Sequence, residues 1–454
     1  MATLATAVQL AEPSAKAFDE AEVQKICSIA TELDKIPSVA LQKQEALIKE
    51  IKAAYEAELI AFLAAEQEED ANASTLYKAV AAASGACGAA AAQQLEGLQK
   101  VALLATVNAG KATGAINEFV DFLIAVSTGG STGTCLAASN GSPSGSNAQS
   151  RLGCPAKTTD NLNPAEFQEN SALKPSGYAQ FSGGTAHQSG GSADTKCFLL
   201  KTNGASSATN VWQTNTVSPQ PLMFGFLTVT SHNTAGTTAI NKATLNALGT
   251  NWEKTNPQTA PEKLFNAIGH LIKAEYDGCG QTATDILNHV IGKGKAAQLI
   301  TSVRKGAKLT DKTSKNDYGA AALVDDVAGD SKNQAEKIKN KIDSLPVTQV
   351  QVDKTAEKTI KTNSNPEDMR KSLLLRHIKN KEAFKNLGKQ LQEEIVKKAN
   401  TVTTKMTETD ATCAQKGTGA ECKDGCKVEG TGDNNIGLYF QRQIQENIPY
   451  RSRL

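Results

Sequence analysis

The sequence has few aromatic residues and no long apolar run, and both shortages limit what the chain can be. Phe, Trp and Tyr make up 5% of its 454 residues. A membrane-spanning helix needs roughly 18 or more consecutive apolar residues, and no such stretch occurs. Lys plus Arg number 48 against 47 for Asp plus Glu, and this balance gives no support to nucleic-acid binding.

Motifs of known catalytic and metal sites are also missing. The five histidines are scattered and none forms H-x-x-x-H or H-E-x-x-H, so a helical zinc site lacks its ligands. There is no G-x-S-x-G nucleophile motif and no complete phosphate-binding loop. We therefore predict no enzyme, no cofactor and no metal site. A hydrolase whose catalytic groups converge from distant parts of the chain is kept as an alternative.

The chain is organised around a helical hairpin between about residues 16 and 126. After Leu47 the apolar side chains recur every three or four residues, which places them on one face of a helix. They are Ile48, Ile51, Tyr55, Leu59 and Phe62. The charged residues between them, Glu50 included, are expected in water. Residues 79–114 follow, rich in Ala and Gly, which let two helices approach closely.

The hairpin sets the predicted fold class. Two arms of roughly 50 residues at 1.5 Å per residue would each reach about 75 Å. We predict a mainly α protein, an elongated antiparallel coiled-coil rod that carries a small disulfide-stabilised loop and β lobe. A small Cys-rich C-terminal domain completes it.

Local signals mark the ends of the hairpin helices. Pro37 interrupts the first arm, and Ser38 is expected to cap the restart. The bend is expected near residues 70–74, in an exposed turn. That turn holds the N-glycosylation sequon Asn72-Ala73-Ser74, a triplet that also arises by chance. We predict a glycan at Asn72 and none at Asn140, whose sequon is followed by a proline.

Polar stretches at 127–150 and 182–195 separate the hairpin from a small lobe. Short β-like runs are expected at 197–200 and 224–230. Two large aromatic side chains are expected to anchor the lobe, Trp212 and Trp252. Helices return after residue 260, and Asn365 followed by a proline and two acids predicts a further helix start.

Nine cysteines stand at positions 27, 87, 135, 154, 197, 279, 413, 422 and 426. The first six form no C-x-x-C pair, which argues against a structural zinc site there. Wide spacing in a chain rich in Ser, Thr and Gly favours disulfides and an oxidising compartment. Buried free thiols in a cytosolic protein are the alternative. The last three cysteines lie in a segment too short to bury a core without disulfides.

These features divide the chain into four parts. Residues 1–20 are interpreted as a leader remnant or frayed terminus, and 21–400 as one elongated N-terminal domain. Residues 401–433 form the Cys-rich C-terminal domain, and 434–454 an atypical polar tail.

Several of these segments, taken in order, resemble the trypanosome variant surface glycoproteins, most closely their class A group. A cysteine-containing first helix, three cysteine-containing loop or strand motifs and a cysteine-rich ending recur in that order. They are KICSIATELDKIP (25–37), GTCLAASNG (133–141), RLGCPAKTTD (151–160), TKCFLLKTNG (195–204) and CAQKGTGAECKDGCKVEG (413–430).

The resemblance implies a surface coat protein with no catalytic role. Family members pack side by side on the parasite plasma membrane, shield invariant proteins and are exchanged to evade host antibodies. The resemblance also implies a homodimer held on the outer leaflet by a glycosylphosphatidylinositol anchor, although residues 434–454 show no anchor signal. A transferrin-type nutrient receptor on the same scaffold is the alternative. Loops poor in aromatic residues favour the coat.

The resemblance further implies two disulfide bridges, Cys27–Cys154 and Cys135–Cys197. Cys87 and Cys279 are then left over. No family motif covers these two, and we assign them to each other by elimination.

Overall fold

The computed structural model of the chain describes residues 16–127, 135–138, 151–170, 172–189, 197–200, 219–230, 239–309, 318–329, 332–363, 365–405, 426–429 and 437–440. Several features predicted from sequence lie outside these residues. They are the N-terminal segment up to residue 15, Asn140, Trp212, Cys413, Cys422 and most of the C-terminal tail.

The described part of the chain contains nine α-helices. They are α1 (Glu20–Leu33), α2 (Ile36–Gln67), α3 (Ala71–Ala125), α4 (Ala260–Lys273), α5 (Ala283–Gly292), α6 (Lys295–Gly306), α7 (Ala320–Ala328), α8 (Gln334–Ser344) and α9 (Pro366–Lys405). The mainly α fold predicted from sequence is confirmed. Within the described residues, no helix combines the length and the apolar character that a membrane crossing requires.

The strands are short and form small sheets. They are β1 (Lys16–Asp19), β2 (Leu136–Ala137), β3 (Leu173–Lys174), β4 (Gly177–Tyr178), β5 (His187–Ser189), β6 (Gln220–Leu222), β7 (Leu227–Thr230), β8 (Ala239–Lys242), β9 (Pro346–Gln351), β10 (Lys354–Thr359), β11 (Cys426–Glu429) and β12 (Gly437–Phe440). One three-stranded sheet has the order β2-β1-β5, with β1 parallel to β2 and antiparallel to β5. A second has the antiparallel order β6-β7-β8, and the other six strands form two-stranded sheets.

Two compact units divide the chain. The first comprises Met1–Gln349 and Ala356–Met369, and it holds the hairpin and the β lobe. The second comprises Val350–Thr355 and Arg370–Leu454, and it holds most of α9.

The break in the first arm of the hairpin differs from the sequence prediction. Helix α1 ends at Leu33, and α2 begins at Ile36 with Pro37 in its first turn. Proline is tolerated there because the first N–H groups of a helix have no partner within it. The residue that caps α2 is Lys35, with no side-chain hydrogen bond, so the predicted cap at Ser38 is wrong.

The bend of the hairpin also lies earlier than predicted. Helix α2 ends at Gln67 and α3 starts at Ala71, after a three-residue turn. Asp70 caps α3, since its Oδ1 accepts a hydrogen bond from the Ala73 N–H at 2.7 Å. Asn72 therefore lies in the first turn of a helix and not in an exposed loop.

Alanine is the commonest buried residue of both α2 and α3. The predicted stripe is wrong in part, because Ile48, Tyr55 and Phe62 are exposed while Leu59 is buried. The buried side chains of α2 include Ala53, Ala54, Ala57, Ala61, Ala64 and Ala65, and those of α3 include Ala81, Ala83, Ala91, Ala102, Ala105, Ala109 and Ala112. A Cβ on Gly88 of α3 would lie 3.2 Å from the Ala54 Cβ of α2, so the two arms approach closely there. They are unequal: α2 has 32 residues and α3 has 55.

Aromatic side chains fill the core of the β lobe. Trp252 is buried and packs edge to face against Phe167, with ring centroids 5.2 Å apart. The ring centroids of Trp252 and Phe265 are 5.8 Å apart. A Cβ on Gly269 would lie 2.0 Å from the Trp252 carbonyl oxygen, so only glycine allows α4 this close to the Trp252 backbone. Residues 198–200 form a 3₁₀ turn, so the predicted strand there is wrong.

Helix α9 starts as predicted. The Asn365 Oδ1 accepts a hydrogen bond from the Glu367 N–H at 2.8 Å and caps the helix. Phe384 is 75% exposed, and Leu387, Leu391 and Ile395 are exposed on the same helix. The periodicity of this stripe indicated the helix, but these side chains do not enter a core within the described residues.

Candidate functional site

Three disulfides join distant parts of the first unit. The Cα–Cα distances are 4.3 Å for Cys27–Cys154, 4.4 Å for Cys135–Cys197 and 6.1 Å for Cys87–Cys279. The structure thus brings together the six cysteines in the pairs named from sequence. Their bonding in the expressed protein stays a prediction.

Polar contacts surround the Cys27–Cys154 bridge. The Thr31 hydroxyl donates to the Gly153 carbonyl at 3.1 Å, and the Gln24 side-chain amide donates to the Arg151 carbonyl at 3.1 Å. The Arg151 guanidinium lies 2.9 Å from a Glu20 carboxylate oxygen. Together these contacts hold the segment after residue 150 along α1.

The Cys135–Cys197 bridge lies beside the sheet that contains β1. The Phe18 N–H donates to the Cys135 carbonyl at 2.8 Å, and the Cys135 N–H donates to the Ser127 hydroxyl at 3.0 Å. Through these two hydrogen bonds, Cys135 connects the segment just after α3 to strand β1.

The third bridge joins α3 to the connection between α4 and α5. We call residues 274–282 the strap. Cys279 in the strap bonds to Cys87 on α3, and its N–H donates to the Glu50 Oε1 on α2 at 2.6 Å. Glu50 is 4% exposed, so its predicted position in water is wrong. Its partner is 229 residues away, a distance that helical periodicity does not reach.

Two more hydrogen bonds hold the strap on α2. The Lys43 ammonium donates to the Ala274 carbonyl at 2.7 Å, and the Gln281 side-chain amide donates to the Ala46 carbonyl at 3.2 Å. Burial lowers the pKa of Lys43, although the nearby charge of Glu275 acts in the opposite direction. A cleft of about 670 Å³ lies between α2 and the strap.

A half-buried ion pair links α1 to β8. One Glu22 carboxylate oxygen lies 2.8 Å from the Lys242 ammonium, and the other lies 2.9 Å from Lys25. Burial on its own would raise the pKa of Glu22. The hydrogen bonds and charges of Lys242 and Lys25 outweigh burial and hold this pKa below its ordinary value.

The sequon lies at the start of α3. The Asn72 side-chain Nδ2 donates to an Asp326 carboxylate oxygen at 2.9 Å, and both groups are exposed. The Ser74 hydroxyl donates to the Ala65 carbonyl at 2.8 Å. Tyr77 follows one turn later; burial, with the charges of Glu68 and Asp70, raises its pKa to about 12.

One side of α3 presents apolar and small residues to solvent. Leu103 is 63% exposed and Val107 is 50% exposed. Gly110 and Gly114 follow at the spacing that continues the same face. We call these four residues the α3 outer face. A Cβ at either glycine would meet no atom within 4 Å.

The described residues hold no group of three His, Cys, Asp or Glu side chains placed to bind a metal ion. The cleft beside the strap is lined by both Lys43 and Glu50, but each of these side chains is hydrogen-bonded to a backbone atom of the strap. Two other features of the described residues are candidates for function, the cross-links and the exposed surface.

The ion pair of Glu22 predicts an acid-sensitive link. A carboxylate with a lowered pKa stabilises the fold above its unfolded-state pKa of about 4.3, and this stability is lost as the pH falls through the folded-state value. We expect Glu22→Gln to lower the free energy of unfolding by about 1–2 kcal/mol at pH 7. The difference from the unmodified chain should shrink below about pH 4.

Urea unfolding at a series of pH values measures this difference. Glu32→Gln is the control, because Glu32 pairs with Lys35, an exposed residue three positions further along the chain. It should cost at most about 0.5 kcal/mol. A Glu22→Gln effect that does not change with pH would contradict the assignment.

Comparisons with known proteins complete the description. The family model of the trypanosome variant surface glycoprotein (A-type) matches residues 1–375. Among solved structures, that of MITat 1.1 aligns with a TM-score of 0.57 at 17% identity, covering 84% of this chain and 100% of that one. Variant surface glycoprotein VSG13 aligns with a TM-score of 0.40 at 13% identity. The alignment covers 81% of this chain and 99% of that one. VSGsur, solved bound to suramin, aligns with a TM-score of 0.39 at 14% identity. The alignment covers 83% of this chain and 100% of that one. No curated protein matches.

Proposed function

The chain belongs to the A-type trypanosome variant surface glycoprotein family, and we propose that it shields the parasite plasma membrane and is exchanged in antigenic variation to evade host antibodies. The family match over residues 1–375 carries this proposal. It makes the chain a surface coat protein.

The alanine contact between α2 and α3 supports a shielding role. A layer of side-by-side molecules is densest when each molecule has a small cross-section. Helix α3 alone, with 55 residues, reaches about 82 Å, and the many small buried side chains of α2 let the two helices pack closely. The hairpin is thus long relative to its width.

We place the protein on the outer leaflet of the plasma membrane, held by a glycosylphosphatidylinositol anchor. The family supports this placement. The anchor is part of the same proposal.

Replacing the coat of living trypanosomes with this protein tests the function. Antibodies against an invariant membrane protein, and antibodies against the previous coat, should both fail to bind intact cells. Cells that express a different coat are the control. Removal of the protein by phosphatidylinositol-specific phospholipase C tests the anchor in the same cells. Retention of a single host serum protein by the purified chain would instead support a nutrient receptor.

The α3 outer face supports a homodimer. Each glycine inside a helix costs about 1 kcal/mol relative to alanine. Within the described chain nothing packs against Gly110 or Gly114, so their small size serves no internal contact. A second copy placed on this face would use the glycines for close approach and would cover Leu103 and Val107. Apolar side chains at this spacing are typical of a helix–helix seam.

We predict that this face holds the dimer together. The purified chain should be a dimer at micromolar concentration, and the double variant Leu103→Glu and Val107→Glu should be a monomer, because it would place four like charges in one seam. Sedimentation velocity measures both states. Val303→Glu is the matched control, since Val303 on α6 is 60% exposed and lies outside the face. A double variant that remains a dimer would assign the interface to another surface.

We also predict that Asn72 carries an N-linked glycan. Its side chain is exposed, and the glycan attaches to Nδ2, the atom that donates to Asp326. One Nδ2 hydrogen remains after attachment, so the contact with Asp326 is compatible with the glycan. Glycopeptide mass spectrometry of protein from the parasite should find Asn72 occupied and Asn140 bare. Ser74→Ala should abolish occupancy, while Ser74→Thr should preserve it. The reverse pattern, with Asn140 occupied and Asn72 bare, would contradict the prediction.

A further inference from the structure

Glu50 is the one charged side chain that lies in the core of the described residues. Burying a carboxylate is costly unless it is hydrogen-bonded. Its Oε1 accepts a hydrogen bond from the Cys279 N–H at 2.6 Å, and Cys279 is the residue that bonds to Cys87. We propose that Glu50 is a positioning residue that holds Cys279 against α3, and that it thereby directs and protects the Cys87–Cys279 disulfide.

The strap is shaped to bring its backbone to Glu50. Glycines flank Cys279 on both sides. A Cβ on Gly278 would lie 2.5 Å from the Glu50 Oε2, and a Cβ on Gly280 would lie 2.3 Å from the Asp285 Cβ. Gly280 also has a φ of +141°, which side-chain-bearing residues rarely adopt. A side chain at Gly278 would displace the Glu50 carboxylate, and one at Gly280 would clash with Asp285, so glycine on both sides of Cys279 suits this contact.

Among the three bridges, Cys87–Cys279 should depend most on contacts that keep its two cysteines close together. It closes a sequence separation of 192 residues, against 127 and 62 for the other two bridges. The entropic cost of bringing two residues together rises with the length of the intervening chain. Contacts from Lys43 and Gln281 hold the strap at its two ends, and the contact from Glu50 acts at the cysteine itself.

The chemistry on which Glu50 acts is thiol–disulfide exchange. One cysteine thiolate attacks a sulfur of a low-molecular-weight disulfide oxidant and forms a mixed disulfide, releasing one thiol of the oxidant. The second cysteine thiolate then attacks the protein sulfur of that mixed disulfide and releases the second thiol. Two electrons pass from the cysteines to the oxidant, and the two cysteine protons end on the released thiols. The final step depends on how close the two cysteines are held, which is the quantity that Glu50 would set.

Equilibration of the full chain with glutathione buffers tests the proposal. After alkylation of free thiols, peptide mapping gives the equilibrium constant of each bridge in the same molecules. We expect Glu50→Ala to lower the constant for Cys87–Cys279 about three- to tenfold, the effect of one lost hydrogen bond. The constants for Cys27–Cys154 and Cys135–Cys197 should be unchanged. Glu50→Gln, whose amide oxygen still accepts a hydrogen bond, should recover most of the loss.

Glu56→Ala is the matched control, because Glu56 is on the same helix and less buried; it should leave all three constants unchanged. If Glu50→Ala fails to fold, Gly278→Ala decides, since its methyl group would displace the carboxylate and should also lower the Cys87–Cys279 constant at least threefold. A constant within twofold of the unmodified chain would overturn the proposal. An equal fall in all three constants would also overturn it, because Glu50 would then support the fold in general.

Discussion

Close contact between α2 and α3 through alanine is the constraint on which the rest of the first unit depends. Alanine methyl groups bring the two helices together, but each buries little apolar area. Since burial contributes roughly 25 cal/mol per Å², an alanine seam stabilises a hairpin less than a leucine seam of the same length. A long hairpin of this kind therefore needs links from outside its own seam.

Those links come from segments that are distant in sequence. The Cys27–Cys154 bridge holds the segment after residue 150 on α1, and the Cys87–Cys279 bridge with the strap crosses from α3 to α2. In the lobe, Trp252 and Phe265 pack against each other and contribute large buried aromatic surfaces. Small side chains thus let the helices of the hairpin pack closely. Disulfides and aromatic packing attach the hairpin to the rest of the first unit.

This division explains which features the sequence could predict. Helical periodicity found the hairpin, and the cap at Asn365 and the lobe anchor at Trp252 were predicted correctly, because each depends on local pattern or on side-chain size. Periodicity weighted by large apolar residues placed Tyr55 in the seam, whereas the alanines of α2 occupy it. Glu50 was expected in water because its acceptor role depends on a partner 229 residues away. No local rule of helix pattern contains that information. The cysteine pairs came from family resemblance and elimination, since spacing alone left them open.

The contacts that hold the framework together share one property that bears on a coat protein. Several of them end on backbone atoms: the Cys279 N–H, the Ala274 and Ala46 carbonyls, and the Gly153 and Arg151 carbonyls. A hydrogen bond to a backbone atom survives a change of the side chain at that residue. Only one side chain of each such pair, together with the cysteines and the flanking glycines, must then be kept. Exposed positions elsewhere in the first unit are free to change without loss of these links, and surface substitutions away from such features usually alter stability by no more than about 0.5 kcal/mol. A fold that is held through its backbone can therefore present different surfaces, as the proposed antigenic variation of this coat protein would require.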